Sequence, residues 1–121
     1  MAARLSTEVV NIPSKAVTAD FDTGDFDVSQ YTAVQIDIDC TAAAAAINVV
    51  VERKSPNGVY FPIFATAPTV AGGAKLSLLI APGVPAGATS HQGASELPGQ
   101  VMRVTFDITT SATLSATVYG R

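Results

Sequence analysis

The chain contains a single histidine, His91, and a single cysteine, Cys40, and these side chains are the first candidates for catalysis. His91 could act as a general base, but no Ser, Cys or Asp motif brackets it in a recognisable way. The sequence also lacks a G-x-S-x-G elbow and an H-E-x-x-H zinc helix. Cys40 shares its parity with Ile36 and Ile38, which predicts a buried thiol that packs as a small hydrophobe. We therefore expect no catalytic residues and a protein that is not an enzyme.

A cluster of acidic residues around Gly24 is the remaining candidate for a chemical site. Four carboxylates lie within eight residues: Asp20, Asp22, Asp25 and Asp27. Carboxylate oxygens are ligands for Ca²⁺, although the spacing differs from that of an EF-hand loop. The alternative is a solvated turn that Phe21 and Phe26 anchor to the core. We favour the solvated turn, and we expect no metal and no cofactor.

Two other kinds of binding are disfavoured by the sequence. The segment 71–75, Ala-Gly-Gly-Ala-Lys, lacks the spacing of a phosphate-binding loop. The net charge is −3, and the seven basic residues are scattered apart from the pair Arg53-Lys54. Nucleic-acid binding needs a basic surface that displaces counterions, so we expect no nucleic-acid partner.

Cysteine content and hydropathy bear on where the chain folds. One cysteine cannot form an internal disulfide, and the first residues lack the long apolar core of a signal peptide. No stretch reaches the ~20 apolar residues of a membrane-spanning helix. We expect synthesis in a reducing cytoplasm and no membrane partner.

The composition indicates one domain with an unusually uncharged surface. Charged residues make up 14% of the 121 residues, against about 25% in an ordinary soluble domain, while hydrophobic residues reach 48%. Part of the exterior could therefore be buried in a larger assembly. The alternative is a surface rich in Ser, Thr and Gly, which is polar without being charged.

These side chains are carried by segments in which apolar and polar residues alternate. A period of two is the pattern of a half-buried β-strand, because successive side chains leave opposite faces of the sheet. The predicted strands are 31–40, 47–53, 59–65, 75–80, 101–108 and 113–119. The loop 54–58 contains Pro56 and Asn57-Gly58, which are typical of a hairpin turn.

The whole pattern predicts an all-β protein: a single-domain antiparallel β-sandwich, most simply a jelly roll. Residues 1–13 form an N-terminal arm or a first strand, and residues 14–121 form the sandwich. Residues 81–100 hold three of the seven prolines and four of the nine glycines, which predicts one long loop.

Some apolar residues break the alternation and fall on the face that a free-standing sandwich keeps polar. We identify them as candidate contacts with other subunits: Val50, Tyr60, Phe64 and Leu79. The alternative is that loops of the same chain cover them.

Four segments resemble a family of small virion proteins of tailed bacteriophages. The opening strand 26–39 and the hairpin 49–63, which has the form strand, Ser-x-x-Gly, aromatic, strand, carry the resemblance. So do the closing segments 101–106 and 115–121, with Arg103 on the penultimate strand and a final Gly120-Arg121. The loop 81–100 is longer than the connection typical of that family.

The resemblance implies a non-enzymatic structural protein of the virion. Within that class it favours a head decoration (cement) protein on the capsid surface, which would be made in the host cytoplasm. Its partners would be the major capsid protein and copies of itself, often as a trimer. The arm and the long loop would then add contacts to the four residues above: Leu5, Val9, Val10, Ile12, Val84, Pro85, His91, Leu97 and Pro98.

Two alternatives remain open at this stage. A similar sandwich could serve in the neck, the tail or a fibre of the virion. A jelly roll could also be a carbohydrate-binding module, which usually exposes aromatic residues for stacking on sugars. The chain has no Trp and only 7% aromatic residues, although Tyr31, Tyr60 and Tyr119 could serve.

Overall fold

The computed structural model describes residues 6–88, 91–95 and 99–121, and in this part of the chain it contains strands and no helix. The strands are β1 (Thr7–Val17), β2 (Phe21–Asp22), β3 (Phe26–Asp27), β4 (Val34–Ala43), β5 (Ile47–Lys54), β6 (Tyr60–Pro62), β7 (Thr69–Val70), β8 (Ala74–Ile80), β9 (Gly87–Ala88), β10 (His91–Ala94), β11 (Val101–Asp107) and β12 (Ala112–Gly120).

The strands form two sheets. Sheet A has the order β1-β12-β4-β8-β10-β9, and sheet B has the order β2-β11-β5-β6, with β3 also on β11 and β7 also on β5. If β2 with β3 and β6 with β7 are each one interrupted strand, and β9 and β10 are set aside, eight strands remain. In that numbering the sheets read 1-8-3-6 and 2-7-4-5, which is the double Greek key of a jelly roll. The prediction of an all-β sandwich is confirmed.

The core lies between the sheets and follows from the alternation of each strand. On β4, Val34, Ile36, Ile38 and Cys40 are buried, and the residues between them are only partly covered. The inward residues of β5, β8, β11 and β12 are buried in the same way. No charged or polar residue is buried in the described part of the chain. Burial of each large apolar side chain contributes about 1.5–3 kcal/mol, so the core is the main stabilising feature.

The N-terminal segment forms a strand of the domain. β1 continues past Pro13 to Val17 and pairs with β12 along the edge of sheet A. Its register shifts between Ile12 and Lys15, so Pro13 lies in an irregularity where its missing N–H is tolerated. Val9, Val10 and Ile12 pack against the core, which places these proposed contacts partly inside the chain's own fold. Leu5 lies outside the described residues.

In the described residues of the segment 81–100, β9 and β10 interrupt the predicted loop. β10 adds to sheet A beside β8 in parallel, and β9 pairs with β10 in the antiparallel sense. The physical reason is the open edge of β8, whose backbone N–H and C=O groups need partners. Leu97 and Pro98 lie outside the described residues.

Candidate functional site

A groove crosses the outer face of sheet A. Because the inward residues of β4, β8 and β12 are apolar, the residues between them present polar groups to this face. The groove has a volume of about 520 Å³. Its polar lining consists of Gln35, Asp37, Asp39, Lys75, Ser77, His91, Ser115 and Thr117.

Asp37 is held in place at the floor of the groove. Ser77 Oγ donates a hydrogen bond to Asp37 Oδ1 over 2.8 Å. Gln35 Nε2 donates to the same carboxylate, 3.1 Å from Oδ1 and 3.3 Å from Oδ2. Lys75 Nζ lies 3.3 Å from Asp39 Oδ1, but the Lys75 side chain is 78% exposed, so this ion pair adds little stability. The groove thus contains one fixed carboxylate and one solvated ion pair.

A second cavity of about 420 Å³ continues the groove toward the segment 84–87. The two cavities share Gln35, Ser77 and His91. Here the lining includes the apolar residues Leu79, Val84 and Pro85. The groove therefore has a polar part and an apolar part.

The segment 85–86 lies directly against the backbone of β10 at this apolar part of the groove. Gly93 N donates to the carbonyl oxygen of Ala86 over 2.8 Å, and a Cβ on Gly93 would collide with the Pro85 carbonyl oxygen. Gly93 is the cross-strand neighbour of Leu79, so this segment partly covers Leu79. The fold brings together four residues that the sequence singled out separately, namely Leu79, Val84, Pro85 and His91.

A second group of side chains lies at the outer face of sheet B, around Tyr60. Tyr60 Oη donates a hydrogen bond to Asp25 Oδ1 over 2.7 Å, and Lys54 Nζ lies 2.9 Å from Asp25 Oδ2. The hydrogen bond from Tyr60 and the contact with Lys54 hold the pKa of Asp25 below its ordinary value. The contact with Asp25 raises the pKa of Lys54.

Arg103 lies over the ring of Tyr60. Its Cζ is 3.6 Å from the ring centroid, and its Nη2 donates to Glu52 Oε1 over 2.8 Å. The bond to Glu52 raises the pKa of Arg103 further. The Nε of Arg103 is buried without a hydrogen-bond partner. Asp25 therefore holds the hydroxyl of Tyr60, and Arg103 covers one face of its ring.

The other two residues that the alternation singled out are partly covered by the chain itself. Val50 is half-buried on β5, opposite Thr105 of β11. Phe64 packs against the core. Neither side chain presents a fully exposed apolar surface.

The apolar residues with the greatest exposure lie instead at the hairpin between β5 and β6, and they were not among the residues that the alternation singled out. Val59 is 52% exposed and Phe61 is 43% exposed, more than any other large apolar side chain in the described residues. Arg53 lies 5.1 Å from the Phe61 ring centroid. Their position directly after the turn at Asn57-Gly58 was the feature of the sequence that indicated exposure. Residues next to a hairpin turn lie at the end of the strand pair, away from the core.

The carboxylates of the acidic turn accept hydrogen bonds from other groups of the chain. Asp22 Oδ1 accepts from Gly24 N over 2.7 Å, and Asp27 Oδ1 accepts from Ser29 N over 2.8 Å. Asp20 Oδ1 accepts from the distant Ile108 N over 2.7 Å. The bond from Ser29 lowers the pKa of Asp27. In the described ranges, no group of three or more His, Cys, Asp or Glu is placed to hold a metal ion.

Cys40 lies in the core, where burial raises the pKa of its thiol, and Sγ is 3.4 Å from the carbonyl oxygen of Ala42. A thiol in these surroundings is a poor nucleophile. In the part of the chain that the structure describes, no helix is long and apolar enough to cross a membrane.

Comparison with known proteins identifies the fold. No protein-family model and no curated protein sequence matches this chain. Among solved structures, the chain is similar to one described as the structure of PfGH50B, with a TM-score of 0.53 and 8% identity over 97% of this chain and 24% of that one. It is also similar to an exo-beta-agarase, with a TM-score of 0.51 and 7% identity over 100% of this chain and 23% of that one. The chain thus spans about a quarter of the length of these proteins.

A weaker similarity links the chain to an empty particle of cowpea mosaic virus. The TM-score is 0.44, with 10% identity over 100% of this chain and 85% of that one. At such low identities, the two similarities with TM-scores above 0.5 show the fold alone and leave the function to be argued from the residues.

Proposed function

We propose that this protein is a non-enzymatic structural component of a bacteriophage particle, and specifically a head decoration (cement) protein. It would bind the outside of the capsid, bridge neighbouring major capsid subunits and associate with copies of itself as a trimer. The support comes from the sequence resemblance in segments 26–39, 49–63, 101–106 and 115–121. A decoration protein of this kind stabilises the assembled shell by binding it in preference to its dissociated parts.

One structural observation carries the proposal beyond the resemblance. The exposed apolar residues Val59 and Phe61 flank Tyr60 at the hairpin between β5 and β6. Arg53 lies against the ring of Phe61, whereas Arg103 lies against the ring of Tyr60 on the opposite face of β6. Aromatic residues and arginine are enriched at the centres of protein–protein interfaces. We call Val59 and Phe61 the hairpin patch and assign it to the contact with the capsid.

The ordering of this patch favours its use as an interface. Tyr60 lies between Val59 and Phe61 in the chain and is fixed by Asp25 and Arg103 on the other face of β6, so little backbone freedom is lost when a partner covers the patch. The patch is also part of a hairpin whose backbone is closed by the bonds Ser55 N to Val59 O and Gly58 N to Ser55 O. A pre-ordered apolar patch gains more from burial than a mobile one.

The test is a capsid-binding experiment with purified full-length protein. Empty capsids of the phage that encodes it, stripped of this protein, are mixed with the wild-type chain and with Phe61→Ser, and bound protein is measured by co-sedimentation. We expect wild-type to bind and Phe61→Ser to lose most of the binding. Thr110→Ser, in the exposed turn before β12, is the matched control and should bind as wild-type does. Equal binding of Phe61→Ser and wild-type would remove the hairpin patch from the interface.

Copy number separates the decoration role from its closest alternative. Quantitative mass spectrometry of purified particles should find hundreds of copies if the protein decorates the head. A single small ring of copies would assign it to the neck, tail or fibre instead. Absence from the particle would refute the virion role.

A further inference from the structure

The charges that line the groove on sheet A limit the kinds of ligand that it can bind. Asp37 and Asp39 contribute negative charge and Lys75 contributes positive charge, 3.3 Å from Asp39. An anionic ligand would be repelled by the two carboxylates. A metal cation would need a group of ligands that the described residues do not provide. The lining therefore favours an uncharged ligand.

The lining also favours a ligand that both donates and accepts hydrogen bonds. The Asp37 carboxylate accepts, the Lys75 ammonium donates, and the hydroxyls of Ser115 and Thr117 do both. A sugar hydroxyl has the same dual capacity, so it can bridge a carboxylate and an ammonium or amide group. Asp37 is already oriented by Ser77 and Gln35, which lowers the ordering cost of binding.

The groove offers apolar surface next to these polar groups. Leu79, Val84 and Pro85 line its continuation, and Tyr119 faces the same side as its cross-strand neighbour Gln35. A sugar ring presents C–H groups on one face and hydroxyls around its rim. An apolar wall or a Tyr ring can cover the C–H face of the sugar, while the carboxylate and the amide bind its hydroxyls. The two adjoining cavities, about 520 and 420 Å³, are each in the size range of small-molecule sites.

We propose that the groove on the outer face of sheet A binds a neutral oligosaccharide. Asp37, Gln35 and Lys75 bind its hydroxyls, and Leu79 with Pro85 contacts an apolar face of a sugar ring. This site lies on sheet A, whereas the hairpin patch belongs to sheet B. Glycan binding and capsid binding are therefore independent, and either can hold without the other.

The first test screens the full-length protein on an array of neutral and acidic glycans. Binding to neutral glycans is expected. An array without neutral hits, including one with only sialylated or sulfated hits, would overturn the proposal. The neutral oligosaccharide with the strongest signal is then titrated into ¹⁵N-labelled protein. Amide shifts should change along β4, β8, β10 and β12, and changes confined to sheet B would also overturn it.

The second test uses variants in calorimetric titrations with that oligosaccharide. Asp37→Ala should raise the Kd roughly tenfold or more, because it removes an oriented hydrogen-bonding carboxylate. Ser115→Arg places a long side chain in the groove, leaves the bonds of Asp37 intact and should block binding. Asp107→Ala, at the exposed end of β11 in sheet B, is the matched control and should bind as wild-type does. Unchanged affinity in a folded Asp37→Ala or Ser115→Arg variant would refute the site.

Discussion

Tyr60 donates a hydrogen bond to Asp25 over 2.7 Å and thereby connects the hairpin between β5 and β6 to the acidic turn between β2 and β3. Lys54 reaches the other oxygen of the same carboxylate over 2.9 Å. Asp25 therefore holds in place the hairpin that carries the proposed interface. The acidic turn acts here as a structural support for the hairpin.

We expect Tyr60→Phe to raise the pKa of Asp25 toward its ordinary value of 3.8, because the hydrogen bond from Tyr60 is the largest cause of the lowered pKa. Since the folded-state pKa is lowered, Asp25 stabilises the protein above its ordinary pKa, and this contribution disappears as the pH falls through the folded-state value. A ¹³C-detected NMR titration of the carboxyl groups measures the shift. Tyr119→Phe, on sheet A, is the control and should leave Asp25 unchanged. An unaltered Asp25 pKa in Tyr60→Phe would contradict the assignment.

Calcium should neither bind the acidic turn nor stabilise the protein. Asp20, Asp22, Asp25 and Asp27 each accept a hydrogen bond from a different donor within the chain. A Ca²⁺ ion would have to break several of these bonds to gather its ligands. Calorimetric titration with Ca²⁺ should show no binding heat, and the melting temperature should equal that in EDTA. Saturable heat, lost in Asp22→Asn, would establish a metal site.

Gly120→Ala should destabilise the protein by about 1–3 kcal/mol, because the new methyl group overpacks the site. The ring of Tyr31 lies directly over Gly120, and a Cβ there would overlap its Cγ and Cδ2 atoms. The contact is held by the reciprocal bonds between Arg121 and Ala33, each 3.0 Å long. Urea unfolding measures the loss, and Ser115→Ala on the same strand should change stability by less than about 0.5 kcal/mol.

A double variant distinguishes this steric cause from a general weakening of β12. In a Tyr31→Ala background, Gly120→Ala should cost much less, because the ring that it would strike is gone. Equal costs in both backgrounds would show that the Tyr31 contact is not the reason for glycine at this position.

Cys40 should be unreactive toward a disulfide reagent such as DTNB in the folded protein. Its side chain is fully buried and burial raises the pKa of the thiol, so little thiolate forms and access is blocked. One thiol should react rapidly in guanidinium chloride and only slowly, at the rate of unfolding, in buffer. Fast reaction under native conditions would show that the core between the sheets opens readily at β4.

The sequence alone was sufficient to predict the long strands β4, β5, β8, β11 and β12 and the inward side of each. Val34, Ile36, Ile38 and Cys40 are all buried, as their alternation with polar residues requires. The reason is local, because the pleat of a strand sends successive side chains to opposite faces whatever the strand pairs with. The same local pattern could not show exposure at the end of a hairpin. It selected Phe64, which packs on the core, and passed over Phe61, which is exposed.

Only the tertiary structure decided which polar residues line the groove on sheet A. Asp37 and Ser77 are forty residues apart and meet because β4 and β8 are neighbours in sheet A. His91 joins them because β10 adds to the open edge of β8, in a segment whose sequence indicated a loop. Strand order depends on long-range pairing and on the packing of two sheets, which no alternation of neighbouring residues encodes. The residues of the groove were therefore visible in the sequence, but their meeting place was not.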